Sequence, residues 1–376
     1  MNIAYVFDMQ IEEDARTQKE ISSLLKAGFG VRAFDWNKGE NFPVRENPLT
    51  LAGRAVVRET AGIAVRKTEG IRRNLRPLLK YERTLLRWLI RNRKNFSAIH
   101  CVNLDTAFTC RVFAKWFRKE CVYDVFDDYA DAHACGGRLY RMIKRLDAWV
   151  MKGSKRVILC AEKRRAQLLR DPGNVTVICN APEAGRTAPA GSTPGMEAEK
   201  PFTIVYVGNL TEHRMIPELL EAAAKHPEWR LEIGGDGPLK EQVRSCAEKH
   251  PQITFHGRMP YAEVLALEAA GDVLPALYDP ALKNNTFAAP NKVFEAMRCG
   301  KPTIMVKNTG MDDLVERERL GRVIAPEAAA LDNALAGIAA ERPLWRQEAE
   351  RIRRLFAENY CWERMEERLL EIYRQM

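Results

Sequence analysis

No apolar run in this 376-residue chain reaches the length needed to cross a bilayer, and no basic-then-apolar leader opens it. Residues 2–7 go straight into a strand pattern instead, so a cytoplasmic protein is expected. None of the nine cysteines sits in a CxxC pair, which argues against a zinc site and against a disulfide framework. They read as small buried hydrophobes in a reducing compartment. Acidic residues are outnumbered by basic ones, 50 Asp and Glu against 59 Lys and Arg. The formal net charge is +9, which favours an anionic partner such as a nucleotide, a phospholipid surface or nucleic acid. The excess is concentrated: residues 51–95 hold thirteen Lys/Arg against three Glu.

The length is comfortable for two domains. Apolar strands are expected at residues 2–7, 31–34, 97–102, 121–125, 156–160 and 175–179, with a helix over Thr17–Lys26. Strands separated by helical stretches imply parallel crossovers and a doubly wound sheet. Residues 183–200 lack periodicity, are rich in Pro, Gly, Ser and Thr, and read as an interdomain linker. A second alternating unit follows, with strands at 202–207, 230–233, 253–256, 272–277 and 303–306. Two such α/β domains in tandem place a ligand cleft at the carboxyl ends of their strands.

Pro290-Asn291-Lys292-Val293-Phe294-Glu295-Ala296-Met297-Arg298-Cys299-Gly300-Lys301-Pro302 is the densest motif. Proline suits a first helical turn, and the helix N-terminus it opens suits a phosphate. Val293, Phe294 and Met297 are spaced to face a core, leaving Glu295 for a ligand. An oriented carboxylate beside a helix N-terminus fits a nucleoside diphosphate, with ribose hydroxyls donating to Glu295.

This stretch resembles the donor site of glycosyltransferase family 4, the retaining sugar-nucleotide transferases of GT-B fold. The resemblance implies two Rossmann-like domains facing across a cleft: an acceptor domain over 1–182 and a donor domain over 201–360. A C-terminal helix at about 361–376 would cross back onto the first domain. Val207-Gly208-Asn209-Leu210 followed by Arg214 resembles the family's first donor-domain loop, with Gly208 approaching the diphosphate and Arg214 binding it. The family's usual Arg after that glycine is Asn209 here. Ile233-Gly234-Gly235-Asp236-Gly237 resembles its second Gly-rich turn, placing Gly235 beneath the base. Asn291 and Lys292 would flank the diphosphate. In the first domain, Asp14-Ala15-Arg16 resembles the opening loop and helix, with Asp14 as cap and Arg16 facing the acceptor.

Two departures matter. The family's first signature Glu falls on Phe287, and its usual acceptor-side His falls on Phe126. Asp127 is then the candidate to take an acceptor proton, with His133 as an outside candidate on the acceptor side. Asp124, Asp127, Asp128 and Asp131 suggest a cation site. The resemblance argues against one, since these enzymes neutralise the leaving diphosphate with helix dipoles and basic residues. No metal and no cofactor are therefore expected, a UDP- or GDP-sugar being the substrate.

Leu75, Leu78, Leu79, Leu85, Leu86, Leu89 and Ile90 form an apolar stripe amid arginines and lysines. This is the pattern of a helix lying on an anionic membrane, and equally of a sheet-covering helix with a solvated face. Nucleic acid is not expected, since no recognition motif accompanies the charge. The expected activity is transfer of a sugar, with retention, to a lipid-linked or cell-envelope glycan precursor at the cytoplasmic membrane face. The rivals are a sugar-nucleotide 2-epimerase of the same fold and a non-catalytic descendant that binds nucleotide sugar.

Overall fold

The structure, a computed structural model, describes residues 1–65, 71–133, 135–185 and 200–376. Most of the expected linker, residues 186–199, lies outside the described residues. The chain divides into two compact units, Met1–Cys179 with Glu366–Met376, and Asn180–Met365.

The strands of the first unit are β1 (Asn2–Val6), β2 (Gly30–Asn37), β3 (Phe42–Glu46), β4 (Leu49–Leu51), β5 (Arg54–Gly62), β6 (Ala98–Val102), β7 (Glu120–Val125), β8 (Arg156–Leu159) and β9 (Val175–Val177). Its helices are α1 (Ala15–Lys26), α2 (Ile71–Asn92), α3 (Leu104–Phe117), α4 (Tyr129–Ala132) and α5 (Gly137–Gly153). The sheet order is β3-β5-β2-β1-β6-β7-β8-β9, with β4 paired to β5. Among the described residues, only β3 and β4 run antiparallel to their neighbour. Asp14 caps α1, accepting from the Thr17 N–H at 2.6 Å, as expected.

Strand alternation assigns the two faces of this sheet. Val6, Phe34, Cys101 and Tyr123 point into a core covered by Tyr81, Leu85, Trp88 and Leu89 of α2, Phe113 of α3 and Val150 of α5. Burial of Leu85 and Leu89 shows that part of the leucine stripe covers the sheet, as one of its two readings expects. Burying each leucine is worth about 1.5–3 kcal/mol, against about 1 kcal/mol of membrane attraction per basic residue. The core therefore takes the inner half of the stripe and leaves Leu75, Leu79 and Ile90 outside. The amino-terminal part of the basic segment holds β5.

The second unit contains β10 (Phe202–Asn209), β11 (Trp229–Asp236), β12 (Ile253–Gly257), β13 (Leu274–Ala276), β14 (Thr303–Val306) and β15 (Gly321–Ile324). Its helices are α6 (Ile216–Lys225), α7 (Lys240–Lys249), α8 (Tyr261–Ala270), α9 (Asn291–Cys299), α10 (Asp312–Arg317), α11 (Ala328–Ala340), α12 (Arg342–Asn359) and the start of α13 (Trp362–Arg374). Two parallel three-stranded sheets, β10-β11-β12 and β13-β14-β15, are joined by a bridge between Ile204 and Val273. The spatial order is thus β12-β11-β10-β13-β14-β15, which reverses between β10 and β13. Such a reversal opens a crevice at the carboxyl ends of the two strands flanking it, where ligands of doubly wound sheets bind.

Candidate functional site

At the switch point of the second unit, β10 ends at Gly208 and Asn209, and β13 runs into Leu277, Tyr278 and Asp279. The loops after the two strands are tied together. The Asp279 N–H donates to the His213 carbonyl at 3.0 Å, and His213 Nδ1 lies 3.0 Å from Asp279 Oδ2. Arg214 follows in a 3-10 turn, its guanidinium 3.4 Å from the Tyr278 ring centroid. Such stacking holds a cation flat while leaving its edge nitrogens for an anion. Arg214 Nη1 is buried and has no hydrogen-bond partner among the described residues.

Lys292, in the first turn of α9, reaches the same place. Its Nζ donates to the Val207 carbonyl and lies 5.1 Å from the Tyr206 ring centroid. A Cβ at Gly208 would meet that Nζ at 3.3 Å. The glycine therefore keeps both the backbone and the ammonium open to a ligand. Gly235 supports this loop from behind. It pairs with Gly208 across β10 and β11, and a Cβ on it would fall 1.8 Å from the Gly208 carbonyl oxygen. Only glycine lets the two strands approach so closely. Asn291 is exposed at the start of α9. Gly208, Arg214, Lys292 and Asn291 are thus brought to the carboxyl end of one sheet, with Gly235 beneath.

Glu295 is 7 % exposed, one turn along α9 from Lys292. A second carboxyl, not singled out in the sequence, belongs to the same place. Glu268 of α8 is 1 % exposed, and α8 packs against α9. Burial, reinforced by the charge of Glu295, pushes Glu268 up to about 9. At neutral pH Glu268 therefore keeps its proton. The folded chain holds a proton that the unfolded chain releases, so this residue weakens the fold as pH rises from the ordinary carboxylate range towards 9. Glu268→Gln should remove that loss. The expected result is a thermal midpoint equal to the parent's near pH 5 and higher than the parent's by pH 9. A constant difference across that range would rule out the titration. Phe287 is half-buried at the end of a 3-10 turn over Lys283–Phe287, so no carboxylate enters from that side.

The first unit has its own switch point, between β1 and β6. Asp8 follows β1, and Asn103 follows β6. Asn103 Nδ2 donates to Asp8 Oδ1 at 3.0 Å, the Phe126 N–H donates to Asn103 Oδ1 at 3.1 Å, and Lys38 pairs with Asp8 at 3.0 Å. Asn103 sits at φ 58°, ψ 164°, a conformation that costs a non-glycine residue about 1–3 kcal/mol. Sequence reading passed over Asp8 and Asn103, because neither strain nor a 95-residue contact leaves a local pattern.

Arg16, expected on the acceptor side, is held within the first unit. It is 3 % exposed, donating to Glu20 at 2.9 Å, to both oxygens of Asp124 at 2.9 Å and to the Ile178 carbonyl at 3.0 Å. Its guanidinium stacks over Phe126, 4.5 Å from the ring centroid. All its nitrogens are committed inside the unit, which leaves none for an acceptor. Glu20, His100 and Asp124 form a buried triad with metal-ligand atom types, but this guanidinium occupies its charge. Asp127 is exposed and pairs with Arg164 at 2.9 Å. Asp128 pairs with Lys144, and Asp131 accepts from Gln167 at 2.9 Å. The four aspartates thus take different partners rather than converging. His133 is exposed and stacks on Tyr129 with ring centroids 4.1 Å apart.

Comparison with known proteins finds a family match confined to residues 194–355, to the model described as "Glycosyl transferases group 1". The Arabidopsis thaliana sulfoquinovosyl transferase SQD2 is 27 % identical over 126 residues, 34 % of this chain and 23 % of that protein. The chain thus spans about a quarter of the length of that curated relative. Among solved structures, sucrose-phosphate synthase from Thermosynechococcus elongatus superposes with a TM-score of 0.71 at 19 % identity, covering 100 % of this chain and 98 % of that one. Anabaena HepE in complex with UDP superposes with a TM-score of 0.69 at 15 % identity, over 100 % of both chains. The chain has the GT-B fold of these proteins, and its residues 194–355 match the glycosyl transferases group 1 model.

Proposed function

We propose that this protein is a glycosyltransferase that moves a sugar from a nucleoside-diphosphate sugar to a saccharide or lipid-linked acceptor. The carrying observation is the convergence of Gly208, Lys292 and Arg214 at the switch point of the second unit. Residues 201–360 act as the donor domain, and residues 1–182 with the last helix as the acceptor domain, joined through 183–200. Lys292, Arg214 and the N-terminus of α9 at Asn291 bind the diphosphate, and Gly208 lets it approach the backbone. Glu295, buried beside Glu268, accepts from the ribose hydroxyls. When the bond from sugar to phosphate breaks, negative charge grows on the leaving diphosphate. Preorganised cations stabilise that charge without a resident metal. The donor is a UDP-sugar, a reading supported by the UDP held in HepE, and transfer proceeds with retention. Asp127 and His133 lie on the acceptor side. The acceptor is a cell-envelope glycan precursor at the inner face of the cytoplasmic membrane.

A thermal-shift and hydrolysis screen of UDP-, GDP-, ADP-, CMP- and dTDP-sugars without added metal tests this. The expected result is stabilisation by UDP-sugars with slow release of UDP. No stabilisation by any of them would sink the donor site. Phe126 and Phe287, standing where the resemblance implies His and Glu, favour a second reading: a binding-only descendant or a 2-epimerase. The former binds without release, and the latter converts the sugar nucleotide with no acceptor present.

A further inference from the structure

The helices α2, α3 and α5 form one layer over the first sheet, with α3 packed against both others. They comprise 22, 14 and 17 residues, yet none of their acidic side chains reaches solvent freely among the described residues. Glu82 and Asp105 are half-buried and Asp147 is buried. The chain has 50 Asp and Glu, so this depletion is local. Exposed cations are abundant in the same layer: Arg76, Lys80, Arg83 and Arg87 on α2, Lys115 on α3, and Arg138, Arg141, Arg145 and Lys152 on α5.

Between these cations the layer exposes large apolar side chains that the core leaves uncovered. Leu75 and Leu79 are 48 % and 54 % exposed, Trp116 is 69 % and Met142 is 61 %. Phe108 of α3 and Trp149 of α5 touch, with ring centroids 6.1 Å apart, and both are exposed. Beside α2 a cavity of about 550 Å³ opens, with Phe42, Ile63 and Trp88 on its apolar wall and Lys80, Arg87 and Arg91 on its basic one. Arg91 pairs with Glu59, whereas Lys80 and Arg87 have no carboxylate partner among the described residues.

We infer that the outer face of this three-helix layer docks on an anionic lipid bilayer, with a lipid phosphate seated in the cavity between Lys80 and Arg87. This rests on the reading above that the acceptor is held at a membrane. It replaces the single basic segment by a surface built from three helices, two of which lie outside that segment. Cations alone would suit nucleic acid, but exposed Leu75, Leu79, Met142 and Trp149 call for an apolar medium. Aromatic rings flanked by Lys and Arg sit favourably at the boundary between headgroups and acyl chains.

The test is flotation of the full chain with vesicles of phosphatidylcholine alone, or mixed with anionic phosphatidylglycerol, at low and high salt. Binding should require the anionic lipid and fall at high salt. Arg141→Glu with Arg145→Glu on α5 should weaken it by about tenfold or more, since each basic residue near the surface contributes separately. Lys80→Glu with Arg87→Glu, and Phe108→Ala with Trp149→Ala, should each weaken it as well. UDP affinity, measured on the same preparations, should not change, which separates lost docking from lost folding. Equal binding to both vesicle types, loss confined to the α2 pair, or salt-sensitive binding to nucleic acid with none to vesicles would each overturn the inference. Vesicle binding by a chain that binds no sugar nucleotide would leave this surface standing and remove the transferase reading.

Discussion

Arg16→Ala should lower the stability of the first unit by about 3–5 kcal/mol, because it leaves two carboxyls buried beside an empty space. Glu20 and Asp124 are both fully buried, and one guanidinium serves them. Burial and the neighbouring Asp124 already push Glu20 up to about 8, so this pair tolerates little further positive-charge loss. Around the cluster, Tyr5 donates to Glu20 at 2.7 Å and stacks on His100, while His100 Nδ1 lies 2.6 Å from the Tyr373 hydroxyl. In a domain of this size the loss corresponds to a fall in Tm on the order of 10 °C. Arg16→Met combined with Glu20→Gln and Asp124→Asn should recover much of it, since removing all the charges is cheaper than stranding some. Calorimetry of the single and triple variants decides the matter. If Arg16→Ala melts with the parent and only acceptor transfer is lost, Arg16 is a substrate ligand after all.

The second large effect is on donor binding. Glu295→Ala and Lys292→Ala should each weaken UDP-sugar affinity by about 10- to 150-fold, the range given by 1.5–3 kcal/mol for a hydrogen bond to a charged group. The two should separate with the ligand. Lys292 acts on the phosphates, so its loss affects UDP and UDP-sugar alike and flattens the salt dependence. Glu295 acts on the ribose, so its loss also affects uridine, which carries no phosphate. Titration calorimetry with uridine, UDP and a UDP-sugar reads this out, and an unchanged uridine affinity in Glu295→Ala would remove it from the ribose.

Much of this architecture is legible in the chain because buried parallel strands are apolar on both faces. The strands at Asn2–Val6, Ala98–Val102 and Thr303–Val306 are nearly uninterrupted apolar runs between helices. The antiparallel end of the first sheet was not legible for the converse reason. Arg54–Gly62 mixes arginine and glutamate with valine, and its buried Arg58 and Glu59 pair with charges rather than with apolar neighbours. The donor motif was readable because glycine, proline and a carboxylate occur close together in sequence. Glu268 was not, since a glutamate within a short helix looks like a solvated charge until a second helix buries it. The surroundings of Arg16 were not legible because they are set by Asp124, 108 residues away, and by the strand order that brings β7 near α1. The leucine stripe shows its helical spacing in the sequence, but the three-dimensional neighbours decide which leucines remain outside.

The placement of residues 366–376 in the first unit dictates an order of assembly on the ribosome. A nascent chain finishes Met1–Cys179 early, at a rate of about 5–20 residues per second. At that moment His100 lacks the Tyr373 hydroxyl and Phe29 lacks the Tyr373 ring that later packs 5.9 Å away. The half made first must therefore wait, incompletely sealed, while everything from Asn180 to Met365 is synthesised. The half made second is continuous and closes without waiting. Loss of the final helix to premature termination consequently harms the beginning of the chain rather than its end.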